Sequence, residues 1–402
     1  MFPPLAYLEW IDGRPAAADY DLGTSDLRLA ETPDGAEPVP PRLAGLDAPA
    51  GDASLAALVA DEYGVAEDRV VVTAGATHAN FVAAATAYTL DDGCAAAADA
   101  EVGGADTGTD DSAGGARTGR DAGGDEDESG PRALVEAPGY EPLVELPRAL
   151  GARVERFRRP APEAELLPDR VENAVVAAGS EEIAHVTVTN RHNPTGRLES
   201  RDDLADVAGV VADHEGYLLV DEVYAPYTAE PVDGRGFGGP TAAGLPSTVV
   251  TGSLTKFHGL GGLKIGWLVA PPEFAECARA VEAHVPAVAE PSVALAKRLF
   301  ANRDDLVAES RKRCVSNHGL LAEFVAGRDD LTGPVPDGSP FGLLRHDTAD
   351  GDEVARAAWD AGVLVVPGRF FGAPDGARVS LGGDAAESER ALAAFGAVLD
   401  GL

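Results

Sequence analysis

Of the four lysines in the 402 residues, Lys256, Lys264, Lys297 and Lys312, one stands where a solvated surface lysine is hard to place. Lys256 lies in SLTKFHGLGGLKIGWLVAP (253–271), an apolar, glycine-rich run. Ser253 and Thr255 precede it, and Lys264 follows at the eighth position. An amine drawn into such surroundings attacks carbonyl carbon to form an imine, and it can carry protons to and from a bound molecule. Asp221 closes the apolar run Tyr217-Leu218-Leu219-Val220. Strand ends are where α/β sheets put functional groups, although an aspartate there also suits the cap of a following helix. Thr73-Ala74-Gly75-Ala76-Thr77 ends one apolar run and opens a helical one. Gly75, Ala76 and Thr77 thus form a turn whose amides suit an anion, as would any ordinary strand–helix turn. Arg378, in GARVSLGG (376–383), offers a planar fork that matches a carboxylate, unless it is simply an exposed arginine in a strand.

These groups need a frame that brings them together. Strand candidates fall at 70–73, 133–135, 154–157, 184–189, 217–221, 247–251 and 266–270, with helical patterns near 77–90, 140–150, 200–214 and 272–284. Such alternation predicts an α/β fold with a mostly parallel sheet covered on both faces. A long helical region, 288–326, leads into a segment that mixes strands and helices. The length suits a large domain plus a smaller one. We expect the large domain at 46–280, and a smaller α+β domain built from 1–45 and 281–402. Residues 91–130 carry almost no large apolar side chain and many Gly, Asp and Ala, so they cannot offset their ordering entropy by burial. They are expected to form a disordered acidic insertion. No internal repeat is visible.

The net charge of −35, from 67 acidic against 32 basic residues, disfavours nucleic-acid binding, which needs basic patches to displace counterions. The acidity persists outside the insertion, as in proteins of halophilic archaea, where a Debye length of about 3 Å at 1 M salt screens surface repulsion. No apolar stretch of about 18 residues occurs, and the opening Met1-Phe2-Pro3-Pro4 lacks a basic segment followed by an apolar run. The expectation is a cytoplasmic protein with no membrane partner. Cys94, Cys277 and Cys314 are an odd, scattered set; neither a metal site nor a disulfide framework is expected from them.

Four stretches occur together: VTVTNRHNPTG (186–196), YLLVDEVYAPY (217–227), the Lys256 run and GARVSLGG. A lone NPTG is weak, but all four in this order and at these separations are specific. From about residue 65 to 385, insertion excluded, the chain resembles the fold-type I aminotransferases of classes I and II, which use pyridoxal 5′-phosphate (PLP). That resemblance implies the roles of individual residues. Lys256 would carry the cofactor as a Schiff base and shuttle a proton. Asp221 would keep the ring nitrogen protonated, Tyr224 and Asn193 would bond the ring hydroxyl, and Tyr140 would stack on the ring. Gly75, Ala76, Thr77, Ser253 and Thr255 would hold the phosphate. Lys264 stands where the family usually has arginine, and exchanges a two-bond grip for a compact charge. Arg378, with Asn193, would receive the substrate α-carboxylate.

The implied reaction exchanges an amino group between an L-amino acid and a 2-oxo acid, in a homodimer. A PLP-dependent decarboxylase or β-eliminating lyase would use the same cofactor residues, because the outcome depends on which Cα bond stands perpendicular to the ring. Without the insertion, the length resembles the shorter members, including histidinol-phosphate aminotransferases and threonine-phosphate decarboxylases. A PLP-sensing regulator would carry a DNA-binding module ahead of the fold, and the short acidic N-terminal region has no room for one. Residues 20–26 are expected on the substrate side. The second arginine of dicarboxylate-specific members is not found around 281–297, where His284 is the notable polar residue. The tyrosine usually lent to the neighbouring phosphate is not evident at 42–54.

Overall fold

A computed structural model describes residues 5–27, 39–48, 51–90, 130–177, 182–232 and 235–402. The expected insertion lies, but for Gly130, outside the described residues. The chain opens with two short helices, α1 (Ala6–Ile11) and α2 (Arg14–Ala17), and a short strand, β1 (Tyr20–Asp21). A seven-stranded sheet follows: β2 (Val70–Thr73), β3 (Arg132–Ala137), β4 (Arg153–Arg158), β5 (Ile183–Thr189), β6 (Tyr217–Asp221), β7 (Thr248–Ser253) and β8 (Gly266–Val269), in the order β2-β8-β7-β6-β5-β3-β4. Each is one of the strands anticipated from an apolar run. The pairs from β4 through β7 are parallel, whereas β8 is antiparallel to both β7 and β2. The reason is local. A parallel return needs a crossover of a dozen or more residues, usually a helix, and residues 254–265, which link β7 to β8, contain no α-helix.

The sheet is apolar because both faces are covered. Along β6, Leu218 and Val220 enter one core and Leu219 the opposite one, as the two-residue period of a strand requires. Helices α3 (Leu55–Tyr63), α6 (Pro168–Ala177) and α7 (Arg201–Asp213) cover the first face, through Val59, Val171 and Leu204. Helices α4 (Ala76–Ala87) and α8 (Pro272–Glu282) cover the second, where Val82 meets Phe274 and Ala278. α5 (Glu141–Ala149) follows β3. A capping box between Ser200 and Asp203 fixes the start of α7. Sequence patterning missed α6, whose buried stripe is only Val171 and Val175.

The helical region expected at 288–326 is two helices, α9 (Glu290–Ala301) and α10 (Arg303–Ala326). The break is at Asn302, whose backbone leaves the helical region (φ −120, ψ 27) and whose side-chain amide donates to Arg298 and Asp47 carbonyls at 2.8 and 3.2 Å. An asparagine amide competing for backbone carbonyls is a known way to interrupt a helix. α9 and the first half of α10 pack on the large core through Leu299, Leu306 and Cys314.

A second core gathers β9 (Leu331–Thr332), β10 (Phe341–His346), α11 (Gly351–Asp360), β11 (Val363–Leu364), β13 (Ala377–Ser380) and α12 (Ala385–Leu399), with Leu321 from the end of α10, while β12 (Val366–Pro367) turns Val366 to a small cluster with Tyr7 and Phe371. Here the sheet order is β12-β13-β10-β9, and β1 pairs with β11. The N-terminal segment divides between the cores: Leu22 lies in the smaller, Leu27 and Leu43 in the larger. Residues 22–27 therefore cross the seam. Among the described residues no helix is long and apolar enough to cross a membrane, and no cluster of His, Cys, Asp and Glu is placed to hold a metal.

Candidate active site

At that seam, facing the carboxyl ends of β5, β6 and β7, is a cleft of about 250 Å³. All twelve residues singled out from the sequence line it: Gly75, Ala76, Thr77, Tyr140, Asn193, Asp221, Tyr224, Ser253, Thr255, Lys256, Lys264 and Arg378. His284 is not among the lining residues; it is exposed on the segment after α8.

Asp221 ends β6 and is 6% exposed. Its Oδ2 accepts from Asn80 Nδ2 at 2.9 Å and its Oδ1 from the Val223 amide at 3.1 Å. Asn80 Oδ1 in turn accepts from Thr251 Oγ1 at 2.7 Å. Burial pushes the Asp221 carboxyl above its ordinary range, against the pull of the Asn80 and Val223 donors and the Lys256 charge.

The turn after β2 takes its shape from Gly75, which precedes α4 at φ +92, and no atom lies within 4 Å of where a Cβ would stand. Gly266, at the start of β8, packs so closely on that turn that a Cβ would come within 2.5 Å of the Gly75 carbonyl carbon. Glycine is therefore obligatory at 266 as well as suited to the positive φ at 75. Lys264 adopts φ +51 just before β8. Ser253, paired with Gly266 across β7 and β8, accepts from the Thr255 amide at 3.3 Å through its Oγ.

The NPTG loop is held from behind by a buried polar network. Thr189 Oγ1, at the end of β5, accepts from the Asn193 amide at 3.1 Å and donates to Glu136 Oε1 at 2.6 Å. Glu136 pairs with Arg159 at 2.8 Å, and Arg159 also binds Glu199. Gly196 sits at φ +81, where a Cβ would meet Ser339 Oγ at 2.5 Å, so the glycine of the motif has a steric cause. Asn193 Oδ1 accepts from Arg378 Nη1 at 2.9 Å, and the Gly23 carbonyl accepts from Nη2 at 2.7 Å. Arg378 is 2% exposed, and its Nε has no protein partner.

Lys256 Nζ lies 2.6 Å from Asp26 Oδ1 and 6.0 Å from the centre of the Tyr224 ring. Burial favours the neutral amine, but Asp26, Tyr224 and Tyr140 outweigh it and raise its proton affinity. Tyr224 Oη is 2.6 Å from Ser25 Oγ. Tyr140 meets Tyr7 edge to face, with ring centres 5.7 Å apart.

Sequence reasoning expected residues 20–26 here without reading their chemistry, and it missed Asn80 and Tyr7 altogether. A signal for Asn80 existed: it follows Ala76 by one helical turn on α4, so a polar side chain there faces the end of the sheet.

Comparison with known proteins adds a family. The model for aminotransferase class I and II matches residues 127–395. The chain is similar to capreomycidine synthase of Streptomyces vinaceus, 28% identical over 65% of this chain and 67% of that protein. It is also similar to histidinol-phosphate aminotransferase of Halobacterium salinarum, 28% identical over 54% of this chain and 57% of that protein. The match thus spans between just over half and two thirds of these relatives' length. A solved PLP-dependent aminotransferase from Streptococcus suis superposes with a TM-score of 0.76 over 99% of this chain and 98% of that one, at 18% identity, a likeness of fold.

Proposed function

The chain belongs to the aminotransferase class I and II family, and from that premise we propose that it moves an amino group between an L-amino acid and a 2-oxo acid, with Lys256 as the covalent anchor for PLP. One observation carries this reading: an amine, a buried carboxylate and a buried guanidinium converge on one cleft at the strand ends. The residues present suit the cofactor. Asp221 is buried against neutral donors and lacks the cationic partner that a protonated pyridine nitrogen would be. The Gly75 turn leaves open space beside the N-terminus of α4, where a phosphate is favoured.

When bound, PLP supplies an electron sink for the substrate Cα. Lys256 Nζ holds it and then moves a proton at the substrate Cα. Asp221, kept in place by Asn80, holds the ring nitrogen in its protonated form. The amides of Ala76 and Thr77, the Ser253 and Thr255 hydroxyls and the Lys264 ammonium receive the phosphate. Tyr140 flanks the ring, and Tyr224 and Asn193 offer polar atoms to its hydroxyl. Arg378, fixed by Asn193 and the Gly23 carbonyl, lines the cleft and offers its guanidinium to the substrate α-carboxylate, which would fix which Cα bond is activated. A homodimer, usual in the family, is part of the reading.

A second outcome on the same residues, a different bond made or broken at Cα, is favoured by the similarity to a protein named a synthase. To decide, purified protein loaded with PLP in molar potassium chloride is reduced with borohydride and digested, and then single amino acids are followed for 2-oxo acid, carbon dioxide and ammonia. We expect the label on Lys256 and a 2-oxo acid formed in step with loss of the donor. Label on another residue removes Lys256 from its role. Carbon dioxide or ammonia without transfer to an acceptor replaces transamination by the second outcome.

A further inference from the structure

The N-terminal segment that crosses the seam touches the reaction machinery at successive residues. The Gly23 carbonyl takes a bond from Arg378, Ser25 Oγ meets Tyr224 Oη, and Asp26 Oδ1 meets Lys256 Nζ at 2.6 Å. Asp26 is not there by chance rotation of a loose loop. The next amide, Leu27 N, donates to the Lys256 carbonyl at 3.1 Å, and the Leu27 side chain is sealed in the large core. On the other side Gly382 approaches so closely that a Cβ there would lie 2.1 Å from the Asp26 carbonyl oxygen. Backbone on both flanks thus fixes where the carboxylate points.

We propose that Asp26 is a catalytic carboxylate that favours the cationic over the neutral form of the nitrogen at the Lys256 Nζ position, in the free side chain and, were the cofactor bound, in its linkage to that nitrogen. The inference rests on reading Lys256 as the cofactor lysine. Its logic is electrostatic. A carboxylate in hydrogen-bond contact favours a charged nitrogen over a neutral one, and with a cofactor bound through that nitrogen the same contact would favour its protonated linkage.

Besides Asp26, the ionisable groups among the described residues that act on Nζ include Asp221 at the end of β6, Tyr224 in the turn after it and Tyr140 just before α5. Burial raises the Tyr140 hydroxyl above its ordinary range, and Asp221 already holds Asn80 and Val223. Asp26 is the carboxylate in direct contact with Nζ, and the raised proton affinity of Lys256 has the sign this requires. No net bond change is involved beyond the N–H: the proton stays on nitrogen instead of leaving for water, and the carboxylate stays ionised.

The test compares wild type, Asp26→Asn and Asp26→Glu, with two readouts. In the PLP-loaded protein, the visible absorption of the lysine linkage is titrated with pH. In the cofactor-free protein, the rate of Lys256 acetylation is followed against pH by mass spectrometry. We expect both midpoints to fall in Asp26→Asn by about one pH unit or more, a tenfold loss of proton affinity, and Asp26→Glu to recover most of the fall. Midpoints within half a unit of wild type overturn the proposal, even if turnover drops, because then Asp26 would be structural. If the wild type forms no lysine linkage, the cofactor reading fails first. The acetylation arm still decides whether Asp26 controls the charge on Lys256.

Discussion

Two regions face the cleft from opposite sides, the strand ends of the large sheet and the crossing segment at residues 22–27, and each contributes one carboxylate. Asp221, from the sheet, is buried and meets only neutral donors. Asp26, from the segment, is 29% exposed at its side chain and already paired with a cation. The first is a carboxylate in want of a positive partner, and the second has one. Rigid elements here store an unmet electrostatic demand that a ligand can satisfy, whereas the crossing segment tunes a group that is already present. Removing the first should therefore disable the site, and altering the second should shift how it behaves.

The sharpest way to break this contrast is Asp221→Asn. If the carboxylate exists to hold a proton on the cofactor ring, turnover should fall by roughly 10² to 10⁴, the usual range for a positioned acid–base group. The cofactor-free protein should not lose stability. A carboxyl whose folded pKa lies above its unfolded one costs stability as pH rises past the unfolded value, so at pH 7 the wild type bears that cost and the amide does not. Steady-state rates and melting temperatures at pH 7 check both halves. A variant of undiminished activity, or one that melts well below wild type, would mean that Asp221 serves the sheet and not the ligand.

Arg378→Lys comes next. The guanidinium spans Asn193 and the Gly23 carbonyl, and so joins both regions. Lysine keeps the charge but loses the fork. We expect kcat/KM to fall by about 10²-fold, near 2.7 kcal/mol, the size of a lost charge-assisted bond. The Lys256 titration should move little. Saturation kinetics with one good donor, set beside that titration, separate the two effects.

These contrasts also mark what the sequence could express. β6 and its terminal Asp221 were legible because an apolar run that ends in aspartate is a local pattern, and Lys256 because lysine is so scarce in this chain. Asp26 was not. Nothing in Thr24-Ser25-Asp26-Leu27 signals a contact across 230 positions, and that contact exists only because Leu22 and Leu27 choose different cores. The break at Asn302 was hidden for a related reason: its amide bonds back to Arg298 and out to Asp47, and the second partner is a matter of tertiary placement. Asn80 lay between these extremes, since its helix was predicted and only its bond to Asp221 was long-range.

The smallest effect should come from Ser25→Ala. Ser25 Oγ lies 2.6 Å from Tyr224 Oη, so the substitution removes one hydrogen bond between the crossing segment and the sheet side. The Tyr224 hydroxyl still lines the cleft and can turn to water or to a bound group, which limits the loss to about 1 kcal/mol, roughly a fivefold drop in kcat/KM. The backbone should not move, because the Ser25 carbonyl still accepts from Tyr227 Oη at 3.0 Å and Leu27 N still bonds Lys256. Binding of PLP, measured by fluorescence titration, should stay within about twofold of wild type. A loss in Ser25→Ala as large as that in Asp221→Asn would mean that the crossing segment carries the chemistry and does not merely adjust it. The division between the two regions would then have to be redrawn around Tyr224, the residue they share.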